Sequence, residues 1–140
     1  MTWTVESLEG LEAVAKNLLE LVGNRRKIAF YGEMGAGKTT LIRVLCRCLG
    51  AGEVAASPTF SLVNTYSYQK DHQIFRIHHL DLYRVNRLEE TLDFGIEEYL
   101  SDPYFCLIEW PEIIETLLPE DVVRVRIETS EESTRKIVFL

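Results

Sequence analysis

The chain is short of positive charge: 15 Lys and Arg stand against 22 Asp and Glu, a net charge of −7. Neutralisation of phosphates by Lys and Arg supplies most of the affinity of a surface that grips nucleic acid. This balance therefore excludes a protein built to hold RNA by itself and leaves any RNA role indirect or local. No apolar run approaches the length needed to cross a bilayer. Residues 1–6 lack the basic start and apolar stretch of a secretory signal, so a cytoplasmic location without membrane attachment is expected. Cysteine is scarce as well. Cys46, Cys48 and Cys106 are odd in number and contain no C-x-x-C pair, which argues against a disulfide framework. Cys46 and Cys48 lie two apart on a predicted helix and point in separate directions, so a shared metal is not expected and both read as small buried hydrophobes. Internal repeats, low-complexity segments and Gly/Ser linkers are also lacking. With 140 residues, 46% of them hydrophobic, the chain has material for one domain around one moderate core, and residues 1–140 are read as a single unit.

What is present is a phosphate cradle. Residues 32–40 read Gly-Glu-Met-Gly-Ala-Gly-Lys-Thr-Thr and satisfy G-x-x-x-x-G-K-[ST] directly after the strand-like stretch Lys27-Ile28-Ala29-Phe30-Tyr31. Gly32, Gly35 and Gly37 let the backbone approach a polyphosphate closely, so that successive N–H groups point at the anion. Lys38 adds a point charge for the β and γ phosphates, and the Thr39 hydroxyl suits magnesium. The following residues, Thr40-Leu41-Ile42-Arg43-Val44-Leu45, continue as a helix whose positive N-terminal end faces the phosphates. The pattern predicts nucleoside triphosphate binding. No Asn-Lys-x-Asp sequence is present to read guanine, so ATP with Mg²⁺ is the expected pair.

The pattern around the cradle is α/β. Leu8, Leu11, Ala15, Leu18, Leu19 and Val22 recur at helical spacing after a Ser7 cap, and Gly23-Asn24 ends that helix. The P-loop helix is predicted over residues 38–49, stopped by Gly50-Ala51-Gly52. Residues 60–68 and 73–80 flank Gln69-Lys70-Asp71-His72 as a hairpin. Residues 87–100 read as one or two short helices broken at Gly95. Residues 105–108, Phe-Cys-Leu-Ile, form the continuous apolar run of a parallel strand buried on both faces. Pro111 opens a helix through Leu118, and residues 122–128 alternate like a strand whose partner is residues 135–140. The expected fold is P-loop NTPase-like, with a mostly parallel central sheet, helices on both faces and antiparallel edge hairpins. The nucleotide is expected beyond the carboxyl ends of the strands.

That geometry selects further residues. Glu109 follows the buried strand and is expected to emerge beside Lys38 and Thr39, where an acid can hold magnesium or its waters. Asp81 closes the preceding strand in the same way, either to orient water or share the metal shell, or as a turn aspartate bonding its own backbone or pairing with Arg84. His78 and His79 are adjacent and face opposite ways on a strand, so they read as core or hydrogen-bonding histidines and not as a metal pair. Ser57 and Thr59, around Pro58, either reach phosphate and magnesium or serve as turn residues. Arg25-Arg26-Lys27 and the pair Arg43 and Arg47 read as solvated basic faces. A phosphotransferase on the same P-loop would need an arginine-bearing lid, for which Arg84 and Arg87 are the nearest residues; a nucleotide-dependent binding module without catalysis is a third class.

Four runs together, residues 32–40, Ser57-Pro-Thr-Phe-Ser-Leu-Val-Asn-Thr-Tyr66, His79-Leu-Asp-Leu-Tyr-Arg84 and Ile108-Glu-Trp-Pro-Glu112, resemble in order and spacing the TsaE (YjeE) family of bacterial ATPases. The resemblance spans essentially the whole chain. It implies a single P-loop ATPase domain that serves formation of threonylcarbamoyladenosine at position 37 of tRNAs reading codons that start with A. It further implies weak hydrolysis of ATP alone and action together with the TsaB and TsaD subunits. Residue by residue, it implies nucleotide contacts at Gly35, Ala36, Gly37, Lys38, Thr39 and Thr40. Thr39 and Glu109 become magnesium ligands, and Lys38, Asp81 and Glu109 the catalytic set. Trp110 follows the metal acid as the family's tryptophan does, Arg135 matches a basic residue of the C-terminal hairpin that touches nucleotide, and the segment near Ser7 borders the adenine.

Overall fold

A computed structural model describes residues 1–51, 62–130 and 134–140. Ser57 and Thr59, with the whole Ser-Pro-Thr-Phe run that contains them, lie outside the described residues. The described residues build one seven-stranded sheet in the order β1-β7-β6-β2-β5-β4-β3. Its strands are β1 (Thr2–Val5), β2 (Lys27–Tyr31), β3 (Val63–Lys70), β4 (Gln73–Asp81), β5 (Phe105–Glu109), β6 (Val123–Thr129) and β7 (Arg135–Phe139). The four central strands β6, β2, β5 and β4 are mutually parallel. β3 pairs antiparallel with β4, and β7 antiparallel with β6 and β1.

Strand composition explains this order. β2 and β5 are apolar along almost their whole length because helices cover both of their faces. On one face α1 (Leu8–Val22) and α2 (Lys38–Leu49) pack Leu11, Val14, Leu18, Leu41 and Leu45 against Ile28, Phe30, Leu107 and Val125. On the other face α3 (Leu88–Asp93), α4 (Ile96–Ser101) and the 3-10 run Pro111–Leu117 enclose Leu80, Leu82, Cys106 and Ile108 with Ile96 and Ile114. Each such aliphatic side chain taken from water stabilises the fold by about 1.5–3 kcal/mol, so these two apolar layers hold the sheet between the helices. Ser7 caps α1 by accepting from the Gly10 N–H at 3.1 Å.

Several expectations change. Leu8 is 66% exposed: it precedes the buried stripe, which runs through Leu11, Val14, Ala15, Leu18 and Val22. Pro111 opens a 3-10 run kinked at Ile114, ending at Leu117. The hairpin turns on Asp71 and His72 alone, both with positive φ (52° and 65°), and the strands extend closer to the turn than their composition indicates. Residues Thr2–Val5, which carry no strand pattern of their own, form a strand by pairing with β7. Lys27 does not belong to a solvated basic face: it is buried and donates to Asp102 at 2.8 Å and to the Tyr104 carbonyl at 2.7 Å. Arg26 lies over the Phe105 ring, 4.6 Å from its centroid. Cys46 and Cys106 are buried and Cys48 partly so, all three as free thiols.

Candidate functional site

The loop from β2 to α2 crosses the carboxyl end of the sheet. Gly32 leaves the strand at φ 153°, where an added Cβ would lie 2.7 Å from the Ile127 carbonyl oxygen of β6. Gly37, at φ 100°, turns the chain into α2, and a Cβ there would meet the Arg135 guanidinium at 2.8 Å. Both angles favour glycine, and at Gly32 the backbone oxygen also leaves no room for a Cβ. Lys38, the first residue of α2, is 5% exposed. Its ammonium donates to the Gly32 carbonyl and sits 3.5 Å from the centroid of the Trp110 ring, a cation–π contact. Burial pushes the Lys38 pKa below that of an ordinary lysine, while the carboxylates of Glu109, Glu112 and Asp81 act in the opposite direction.

The acidic wall follows from strand periodicity. Phe105, Leu107 and Glu109 alternate onto the α2 face of β5, and Ile77, His79 and Asp81 onto the same face of β4. Register sets Asp81 beside Glu109. Glu109 is 3% exposed, and both of its oxygens are engaged. Thr39 Oγ1 donates to Oε1 at 2.8 Å, and His79 Nε2 lies 2.6 Å from Oε2. Because a carboxylate only accepts, His79 carries its proton on Nε2. Asp81 Oδ1 accepts from the Tyr83 backbone N–H at 3.1 Å. Trp110 takes left-handed backbone angles (φ 57°) before Pro111, which turns its indole back over Lys38 and against Tyr83, ring centroids 5.1 Å apart.

These groups enclose a cavity of about 360 Å³ lined by residues 34–40 of the loop together with Asp81, Tyr83, Glu109, Trp110 and Arg135. Gly35, Ala36, Gly37, Lys38, Thr39, Thr40, Asp81, Glu109 and Arg135 are thus brought to one place. Arg135, from the start of β7, also lines a second cavity of about 210 Å³ with Val5, Glu6, Ser7, Leu8 and Leu11. Arg84 and Arg87 are not among the residues lining the larger cavity. His79, expected as a core or hydrogen-bonding histidine, borders the site through Glu109. Its strand phase, two residues before Asp81, was the available signal, but the diagonal contact with Glu109 depends on register. The described residues hold no cluster of three or more His, Cys, Asp and Glu suited to a metal. The hard oxygens of Thr39 and Glu109 fit instead the sparse protein shell of magnesium, which takes one or two carboxylates and draws its other ligands from water and phosphate.

A parallel-cored sheet with a glycine-rich loop between its central strand and a helix, and acids ending the next two strands on one side, is a P-loop NTPase-like fold, a class built for nucleotide binding. The fold is shared by YdiB of Bacillus subtilis, with a TM-score of 0.73 and 25% identity over 99% of this chain and 83% of that one. The sequence model of the family described as "Threonylcarbamoyl adenosine biosynthesis protein TsaE" matches residues 5–137, and the chain belongs to the TsaE family. Among its relatives, a tRNA threonylcarbamoyladenosine biosynthesis protein TsaE of Bacillus subtilis is 29% identical over 139 residues, covering 99% of this chain and 84% of the relative. The protein of the same name from Rickettsia conorii is 35% identical over 133 residues, covering 94% and 73%.

Proposed function

We propose that this chain is a magnesium-dependent P-loop ATPase that acts with the TsaB and TsaD subunits to form threonylcarbamoyladenosine at position 37 of tRNAs reading codons that start with A. Residues 1–140 act as one ATPase domain, weakly active alone and stimulated by the partners. The observation that carries the reading is the convergence of Lys38, Thr39, Asp81 and Glu109 on the cavity formed by the phosphate loop, in a chain of the TsaE family.

The N–H groups of Gly35, Ala36 and Gly37, continued by Lys38, Thr39 and Thr40 at the start of α2, bind the phosphates, and Arg135 approaches them from β7. Lys38 leaves the Gly32 carbonyl and the Trp110 ring to neutralise the β and γ phosphates. The Thr39 hydroxyl and Glu109 carboxylate hold Mg²⁺, which when bound supplies charge stabilisation at the transferring phosphoryl group. Asp81, neighbouring Glu109 in register, orients the attacking water; its loss is expected to lower turnover more than ATP affinity. The segment near Ser7, bordering the second cavity beside Arg135, takes the adenine. With a net charge of −7 the chain reaches tRNA through its partners, in the cytoplasm, and no helix among the described residues is long and apolar enough to cross a membrane.

Multiple-turnover ATP hydrolysis with Mg²⁺, by the chain alone and with TsaB and TsaD from the same source, tests the reading. Slow release of phosphate alone and clear stimulation by the pair are expected. No association and no stimulation, with labelled phosphate passing to a small acceptor, would replace it with a kinase.

A further inference from the structure

We propose that His79 is the positioning residue of the metal site: its Nε2–H fixes the Glu109 carboxylate so that the opposite oxygen faces Thr39 and the cation. This rests on the ATPase reading above, in which Thr39 and Glu109 hold the metal.

Glu109 and His79 are both almost fully buried, with side-chain exposures of 4% and 2%. A glutamate has three rotatable torsions, and a carboxylate at the end of a strand has no intrinsic reason to present one oxygen to a particular neighbour. Here two bonds from opposite sides define its plane: 2.6 Å from His79 to Oε2 and 2.8 Å from Thr39 to Oε1. The Thr39 bond is made by a group that itself serves the cation, so it cannot alone hold the acid in place. The His79 bond comes from the sheet, where β4 is paired on both sides by β3 and β5, and His79 is not among the residues that line the cavity. Without that N–H, Oε2 is a buried anionic oxygen lacking this donor. The Lys38 ammonium is the nearby cation toward which the carboxylate would turn, taking Glu109 away from the metal.

The test uses the full chain with ADP as nucleotide and Mn²⁺ as a paramagnetic stand-in for magnesium. Mn²⁺ affinity in the ADP complex is read by electron paramagnetic resonance, and ADP affinity in EDTA by calorimetry. His79→Leu removes the donor and His79→Asn places an amide short of Oε2. His79→Gln carries an amide nitrogen out to the position of Nε2. Leu and Asn should each lose about tenfold or more in Mn²⁺ affinity while ADP affinity in EDTA stays within about twofold, and Gln should recover most of the loss. If His79→Leu does not fold, the Asn and Gln pair decides the matter. Equal Mn²⁺ affinity across wild type, Asn and Gln, or equal loss in Asn and Gln, overturns the positioning role. Failure of the wild-type ADP complex to take up Mn²⁺ removes the metal-site reading itself, and is distinguishable because it precedes any substitution.

Discussion

Gly32 and Gly37 serve the same loop by different physics, and substitution separates them. At Gly32 the obstacle to a Cβ is the Ile127 backbone, which cannot move without disturbing β6; at Gly37 it is the far end of the Arg135 side chain. Gly32→Ala is therefore expected to cost about 1–3 kcal/mol of stability and lower the melting temperature by several degrees. Gly37→Ala should retain more of the fold but lose about tenfold in ADP affinity, since its strain and the displaced guanidinium fall on the cavity. Melting curves and calorimetry on the two variants check this, and the reverse ranking would contradict it. A second expectation concerns Thr39. Thr39→Ala should fold normally, bind ADP equally well with Mg²⁺ and with EDTA, and lose about a hundredfold or more in turnover; an intact metal response in calorimetry would refute the ligand assignment. The placement of Gly32, Gly37, Lys38 and Thr39 was legible in the sequence because it depends on local backbone and spacing. The contact of His79 with Glu109 was not, because it runs diagonally between two strands and exists only at one register.

Elements ended by strong local signals were readable for the same reason. Ser7 before the apolar stripe of α1, Gly50 after α2 and Gly95 between α3 and α4 each stand where the observed boundary falls. Their chemistry needs no tertiary partner. The Ser7 cap gives a measurable consequence: Ser7→Ala removes the acceptor for the Gly10 N–H and should destabilise by about 1 kcal/mol, lowering the melting temperature by a few degrees. Ser7→Asp should restore most of this, and equal stability in Ala and Asp would show that the cap contributes nothing. Elements decided by their neighbours were not readable. Four residues of β1 acquire strand structure only through pairing with β7, and the Asp71-His72 turn takes left-handed angles that glycine would have announced and these residues do not. The 3-10 geometry after Trp110 likewise follows from packing: Ile114 is fully buried against the second apolar layer at a kink in the run.

At the scale of the whole molecule, the two adjacent histidines divide the sheet between function and stability. His79 faces the site; His78 faces the opposite layer and belongs to a polar tie. Thr65 of β3 meets its Nδ1 at 3.0 Å, and Asp102, which follows α4, meets its Nε2 at 3.0 Å while accepting from Lys27 of β2 at 2.8 Å. Tyr99 and Tyr104 enclose the ring edge-on. This tie joins three strands to the α4–β5 connection, as far along the sheet from the carboxyl ends of β2 and β5 as Lys27 and Tyr104 are. Burial pushes the His78 pKa below the ordinary imidazole value with help from Lys27 and Arg76, and Asp102 opposes this only in part. The sign of the linkage follows. As pH falls through about 6.5, the unfolded chain takes up a proton that the folded chain still refuses, so stability declines until the lower folded value is passed and is flat below it. Wild type should thus lose its advantage over His78→Gln as pH is lowered from about 7.5 toward 5, because the variant lacks this titration and both chains share every carboxylate. Paired urea titrations across that range measure the difference. A wild-type advantage that grows on acidification would mean instead that Asp102 outweighs burial and that His78 folds as the cation.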